Sequence, residues 1–183
     1  MKDLFPIPML TETIKPKTDI FYQISQQRKL RGPDKNNYTS YYDRDAMVGI
    51  DGWEELGETI HGHCKSYCSS VGIKKSNLRL IAWWNVYGYG NHHCWHAHPS
   101  ALLSGTFYVN VPDKSRPIEF KSPIESLIQS WHYKAFDHTR WEQGVELYPK
   151  TNDLLVWPSW LEHMVPEIKS DPDERCTISF NIL

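Results

Sequence analysis

From Ser76 onward the spacing of apolar residues switches from three or four to two, and that switch limits the fold more than any other feature. In Arg175–Leu183, the residues Cys176, Ile178, Phe180 and Ile182 alternate with Arg175, Thr177, Ser179 and Asn181. Side chains of a strand point to opposite faces in turn, so this segment has one apolar and one polar face. Leu102–Val111 repeats the pattern, with Leu103, Phe107, Val109 and Val111 opposite Ser104, Thr106, Tyr108 and Asn110. Leu78–Tyr87, Ile118–Phe120 and Asp153–Trp157 read as further strands, separated by Pro and Gly at turn-like intervals.

The first 75 residues follow a different period. Trp53, Leu56, Ile60, Cys64 and Tyr67 recur three or four apart and predict an amphipathic helix over Trp53–Val71, stopped at Gly72. Ile20–Leu30 predicts another, ending at Arg31-Gly32-Pro33. Pro6, Pro8 and Pro16 keep residues 1–15 extended, and the tyrosine-rich Lys35–Asp45 reads as a long ordered loop or lid. Helices first and antiparallel strands after them give an α+β chain, mainly β, whose strands form a sandwich or jelly roll. With 183 residues and no internal repeat, a single domain over 1–183 is expected, helices in 1–75 and the β core in 76–183.

The polar faces are unusual for strands that merely meet water. Arg175, Thr177 and Tyr108 suit a lumen holding a small polar ligand. Four of the nine His fall within His92–His98, and His96-Ala97-His98 has the i,i+2 spacing that points two imidazoles of a strand the same way. Extrapolated backward across Pro99, both join the Ser104/Tyr108 face. His163, after the apolar run Leu154-Leu155-Val156-Trp157, is the natural third metal ligand from a distant strand. Three neutral imidazoles suit Zn(II) and Fe(II) alike.

Other features carry less. His92 and His93 read as loop histidines, with a place beside the metal or substrate as the alternative. His61, Cys64 and Cys68 share a helical face but lack a fourth zinc ligand. Trp83, Trp84, Trp95 and Trp160 read as packing at the core and the mouth. Glu162, next to His163, should point away from it. The 20 basic and 22 acidic residues leave a net charge of −2, without the excess that marks a nucleic-acid binder. No apolar run is long enough to span a bilayer. The opening MKDLFPIPML lacks the apolar core of a signal peptide, and the four Cys form no CxxC pair; a cytoplasmic protein with reduced thiols is expected.

Several motifs in order resemble the 2-oxoglutarate/Fe(II)-dependent oxygenases found in bacteria and tailed phages. They are His96-Ala97-His98-Pro99-Ser100, Ser104-Gly105-Thr106-Phe107-Tyr108, Pro158-Ser159-Trp160-Leu161-Glu162-His163-Met164-Val165 and Arg175-Cys176-Thr177-Ile178-Ser179-Phe180-Asn181. The likeness covers about residues 78–183, and the early LFPIP also looks like the family's opening. It implies a double-stranded β-helix (jelly-roll, cupin-like) with supporting N-terminal helices, and Fe(II) near one mouth. It also implies a hydroxylase using 2-oxoglutarate and O2 on a small-molecule or peptide substrate, in a bacterium or phage-infected host cell. The oligomeric state stays open, a homodimer included.

By the same resemblance His96, His98 and His163 hold the iron. Arg175 binds the distal carboxylate of 2-oxoglutarate, its fork of donors matching a carboxylate, with Thr177 as hydroxyl partner. Asn85 and Tyr87 match an Asn-x-Tyr that contacts 2-oxoglutarate in the nucleic-acid demethylases, and Tyr108 is a further contact. The chain departs from the wider superfamily, which has H-x-D/E where His98 stands. Three His leave Fe(II) at +2, balanced by the 2-oxoglutarate dianion. Two rival readings remain at this point. One is a three-His metalloenzyme without 2-oxoglutarate, either an iron dioxygenase or a zinc hydrolase, although Pro99-Ser100 supplies no Asp after the pair. The other is a non-catalytic binding protein of a phage or virion with the same fold.

Overall fold

The computed structural model describes residues 6–31, 38–43, 45–124, 144–169 and 174–183. The helices are α1 (Ile20–Arg31) and α2 (Trp53–Ser70). The strands are β1 (Leu10–Thr13), β2 (Leu80–Tyr87), β3 (His93–His96), β4 (Leu103–Asn110), β5 (Ile118–Lys121), β6 (Gly144–Leu147), β7 (Asp153–Pro158), β8 (His163–Val165) and β9 (Arg175–Ile182). They form two antiparallel sheets, ordered β1-β7-β4-β9-β2 and β3-β8-β5-β6. The architecture is the expected double-stranded β-helix.

Strand parity explains how the layers meet. On the larger sheet, Trp84, Val86, Phe107, Val109, Leu154, Val156, Cys176, Ile178 and Phe180 share one face and pack with Ile20, Ile24, Leu56, Ile60 and Cys64 of the helices. The opposite face carries Tyr108, Leu155 and Trp157, which pack with Ile118 and Phe120 of the smaller sheet. The polar residues of β9 lie on this inner face. They face the second sheet, which is why Arg175 and Thr177 are each only 2% exposed. Burial of this kind, at roughly 1.5–3 kcal/mol per large apolar side chain, drives the layering.

Helix α2 starts where Gly52 takes φ 81°, a conformation that suits glycine, and Glu54 and Glu55 in its first turn complement the helix dipole. It stops one residue before Val71, and Gly72 at φ 78° turns the chain away, as the sequence predicts. The Tyr67 hydroxyl donates to Pro8 O at 2.8 Å and pins the N-terminal segment to the helix. That segment is more than extended: Leu10–Thr13 pairs with β7 as an edge strand. In the Lys35–Asp45 loop, the described part is stitched to β2. Ser40 N donates to Trp84 O at 2.9 Å, and Thr39 bridges to Asn85; residues 35–37 and 44 lie outside the described residues.

Gly105 marks a close approach between strands. A Cβ there would sit 2.6 Å from Phe180 Cε2 and 2.7 Å from Leu155 O. The ring can yield but the carbonyl cannot without moving β7. Gly105→Ala is therefore expected to destabilise the protein by ~1–3 kcal/mol, the usual cost of overpacking. Denaturant titration checks this, and an unchanged midpoint would show that β4 and β7 separate freely.

Candidate metal centre

Three imidazoles meet at one end of the smaller sheet. His96 and His163 are direct partners across the β3–β8 pair. Cross-strand neighbours sit side by side, and here the ring centroids are 4.2 Å apart. His98 lies two residues beyond β3, not on a continuous strand into β4, so the parity drawn backward across Pro99 does not hold. A turn holds it instead: His98 N donates to Ser159 O at 2.9 Å and Ala101 N donates to His98 O at 3.0 Å. Even so, one nitrogen from each of the three His lies within 4.8 Å of the others.

Two of these rings are oriented by the backbone. His96 Nδ1 lies 2.8 Å from Cys94 O and His163 Nδ1 lies 3.0 Å from Leu161 O. A carbonyl only accepts, so each Nδ1 carries the proton and each Nε2 keeps a free lone pair. Burial holds His163 down to about 3, against the pull of the Leu161 carbonyl and helped by the neighbouring imidazoles. Burial and then His96 lower His98 to about 4. Near pH 7 both rings are neutral, the form that binds a metal.

The same cavity runs inward from the imidazoles to Tyr108, Thr177 and Arg175. Arg175 pairs in register with Tyr87 of β2, and Thr177 with Tyr108 of β4. The guanidinium stacks over Tyr108, Cζ 5.1 Å from the ring centroid, and donates through Nη1 to Arg116 O at 2.6 Å. Among the described residues its buried Nε has no hydrogen-bond partner and no carboxylate neutralises it. A buried cation in that state is costly unless a ligand supplies the anion. Neutral nitrogen donors at one end and a buried fork of donors at the other fit a divalent metal and a dicarboxylate together.

A model of the 2OG-Fe(II) oxygenase family matches residues 81–181, a span that includes all three His and Arg175. The chain belongs to the 2OG-Fe(II) oxygenase family. Its cofactors are those of the family, Fe(II) and 2-oxoglutarate. No curated protein matches its sequence. Solved structures share its fold at low identity. The non-haem α-ketoglutarate-dependent epimerase SnoN from nogalamycin biosynthesis is 13% identical with a TM-score of 0.62, covering 97% of this chain and 78% of that one. A Pseudomonas putida prolyl-4-hydroxylase is 10% identical with a TM-score of 0.60, over 96% of this chain and 86% of that one. A 2OG-Fe(II) oxygenase family oxidoreductase of Burkholderia pseudomallei is 8% identical with a TM-score of 0.51, over 73% of this chain. This chain spans 59% of that protein's length.

The remaining residues of the oxygenase sort by geometry. Tyr87 borders both the inner cavity and an outer cleft of about 330 Å³, which Tyr38, Tyr41, Tyr42 and Trp83 also line. Burial pushes the Tyr87 and Tyr108 hydroxyls up to about 12, against the pull of Arg175, so both stay neutral donors. Asn85 borders only the outer cleft, and its amide is engaged by protein. It accepts from Thr39 Oγ1 at 2.7 Å and donates to Ser179 Oγ at 3.0 Å. His93 is no detached loop histidine, since its ring stacks on His96 at 3.9 Å. Its neighbour His92 is exposed.

The zinc alternative on α2 has no support. His61 Nε2 engages Leu78 O at 3.0 Å, and burial pushes the Cys64 thiol up to about 12 and raises Cys68 as well. Among the described residues the three-His group alone has metal-binding geometry. Glu162 points away from the centre and pairs with Lys121 at 3.5 Å. Trp84 is core, whereas Trp83 borders the cleft and Trp95 and Trp160 are exposed. No helix among the described residues is long and apolar enough to cross a membrane.

Proposed function

We propose that His96, His98 and His163 hold the iron of this oxygenase, and that Arg175 seats the distal carboxylate of 2-oxoglutarate. Tyr108 and Thr177 flank that carboxylate, and Tyr87 closes the pocket toward the cleft. Asn85 acts at one remove, by holding Ser179 and the Thr39 strap. The observation that carries this reading is the buried Arg175, its Nε without a partner among the described residues, in the same cavity as the three imidazoles. A three-His zinc hydrolase has no use for such a guanidinium.

Bound together, Fe(II) and 2-oxoglutarate activate O2, yielding succinate, CO2 and one oxygen atom for a substrate C–H bond. The chain's own part is placement. Arg175 would fix the cofactor from its far end, and Trp157 and Phe120 pack against His163 and shield that imidazole from water. The substrate, a small molecule or a peptide end, enters by the tyrosine-lined cleft, which shares His93, His96 and His98 with the inner cavity. We read the product as hydroxylated. The helices and both sheets act as one domain, a reading supported by the core that α1 and α2 share with the larger sheet. The buried free thiols Cys64, Cys68 and Cys176 suit the reducing cytoplasm.

Anaerobic titration tests the assignment. Fe(II)-loaded protein is expected to bind one 2-oxoglutarate per chain and, on admission of O2, to release succinate. Stoichiometric iron without 2-oxoglutarate binding would leave a metalloenzyme of another kind, and absence of both would leave a binding protein.

A further inference from the structure

We propose that the side-chain amide of Asn181 selects which nitrogen of His98 carries the ring proton, and thereby whether His98 can serve a metal. The inference rests on the reading of His98 as a ligand, and adds a residue that acts on it. Asn181 lies on the inner face of β9, in register with Ser104 of β4. Ser104 Oγ donates to Asn181 Oδ1 at 2.8 Å, and Asn181 Nδ2 lies 3.3 Å from His98 Nδ1. Ser104 is 1% exposed, so water does not replace that end of the chain of bonds.

In this arrangement the amide donates to His98 Nδ1. The neutral ring then carries its proton on Nε2, which has no lone pair to offer. His96 and His163 are in the opposite state, with carbonyls accepting from Nδ1 and Nε2 free. Turning the Asn181 amide by 180° costs little in shape, because its oxygen and nitrogen ends are nearly the same size. The oxygen then accepts from His98 Nδ1–H and frees Nε2. The amide nitrogen donates to Ser104 Oγ, which accepts as readily as it donates. Each arrangement closes both the Ser104–Asn181 and the Asn181–His98 hydrogen bond, so the triad has two settings, and metal binding draws the second.

The side chains that lock one setting follow from this. An ionised Asp at 181 only accepts, and would hold His98 in its metal-binding tautomer. Ala offers nothing to Nδ1. Partners of this kind typically change metal affinity by roughly 10–100-fold.

The test is anaerobic Fe(II) titration of wild type, Asn181→Ala, Asn181→Asp and His98→Ala, with 15N-histidine NMR of the wild type before and after Zn(II). We expect Asn181→Ala to bind Fe(II) roughly 10–100-fold more weakly and Asn181→Asp at least as tightly as wild type. The His98 proton should lie on Nδ1 in the zinc protein. If His98→Ala loses metal while Asn181→Ala binds like wild type, or Asn181→Asp is weakened as much as Asn181→Ala, the amide's role is overturned. If His98→Ala binds like wild type, the ligand reading itself falls. The NMR stands even if a variant fails to fold: a proton on Nε2 with zinc bound, or zinc on Nδ1, overturns the selection.

Discussion

Arg175→Ala is expected to weaken binding of 2-oxoglutarate to the iron-loaded protein by ~2–4 kcal/mol, or roughly 30- to 1,000-fold. The size follows from burial. At 2% exposure Arg175 has little water to turn to, and Nε has no partner among the described residues. A carboxylate bound there gains a charge-assisted bond in a poorly screened setting, and its loss leaves the carboxylate desolvated and unpaired. Iron affinity should hardly change, because the guanidinium is not among the nitrogen donors, and so iron binding also serves as the folding control. Arg175→Lys should recover only part of the loss, since a single ammonium cannot reproduce the planar fork. Isothermal titration of anaerobic, iron-loaded variants reads all three. Wild-type affinity in Arg175→Ala would move the cofactor pocket elsewhere.

How far the sequence reveals this site depends on the length of each element. β9 and β4 run eight residues each, long enough for alternation to show which side chains share a face. Arg175, Thr177, Ser104 and Tyr108 accordingly lie toward the second sheet, where parity puts them. The 18-residue α2 is equally plain, because five apolar residues recur on one face. The smaller sheet is different. β3, β6 and β8 have four, four and three residues, too few for a period to emerge, and the middle residues of β6 are exposed on both faces. Only Ile118–Phe120 of that sheet is legible from pattern.

His98 shows the same limit from another side. The i,i+2 rule presumes a strand on both sides of Ala97, whereas the chain turns at His98 and reaches the trio through hydrogen bonds to Ser159 and Ala101. The expectation that it faces His96 holds for a reason that periodicity does not contain. His93 was hidden because its stacking on His96 depends on the bulge in register between them. Asn181 shows only as one polar residue of a face, and its partner His98 is 83 residues away in sequence.

His98→Ala is expected to lower iron affinity by at least ~100-fold, more than loss of an outer partner and in keeping with loss of a ligand. His93→Ala should leave iron bound, since the His93 ring stacks on His96 from outside the group of three nitrogens that lie within 4.8 Å. The contrast between two neighbouring histidines separates ligation from general crowding of imidazoles. His98→Asp goes further, because it restores the carboxylate of the wider superfamily and lowers the charge of the site by one. It should keep iron within roughly tenfold of wild type, a carboxylate being a good ligand for the metal. Its 2-oxoglutarate affinity should fall, because a dianion then meets a centre of net charge +1 in place of +2. Iron content after anaerobic dialysis, followed by 2-oxoglutarate titration, measures both effects. The opposing picture has His98 turned aside, with water at its place on the metal. In that picture His98→Ala keeps its iron, and a structure with both cofactors bound shows the nearest His98 nitrogen well beyond about 2.5 Å from the metal.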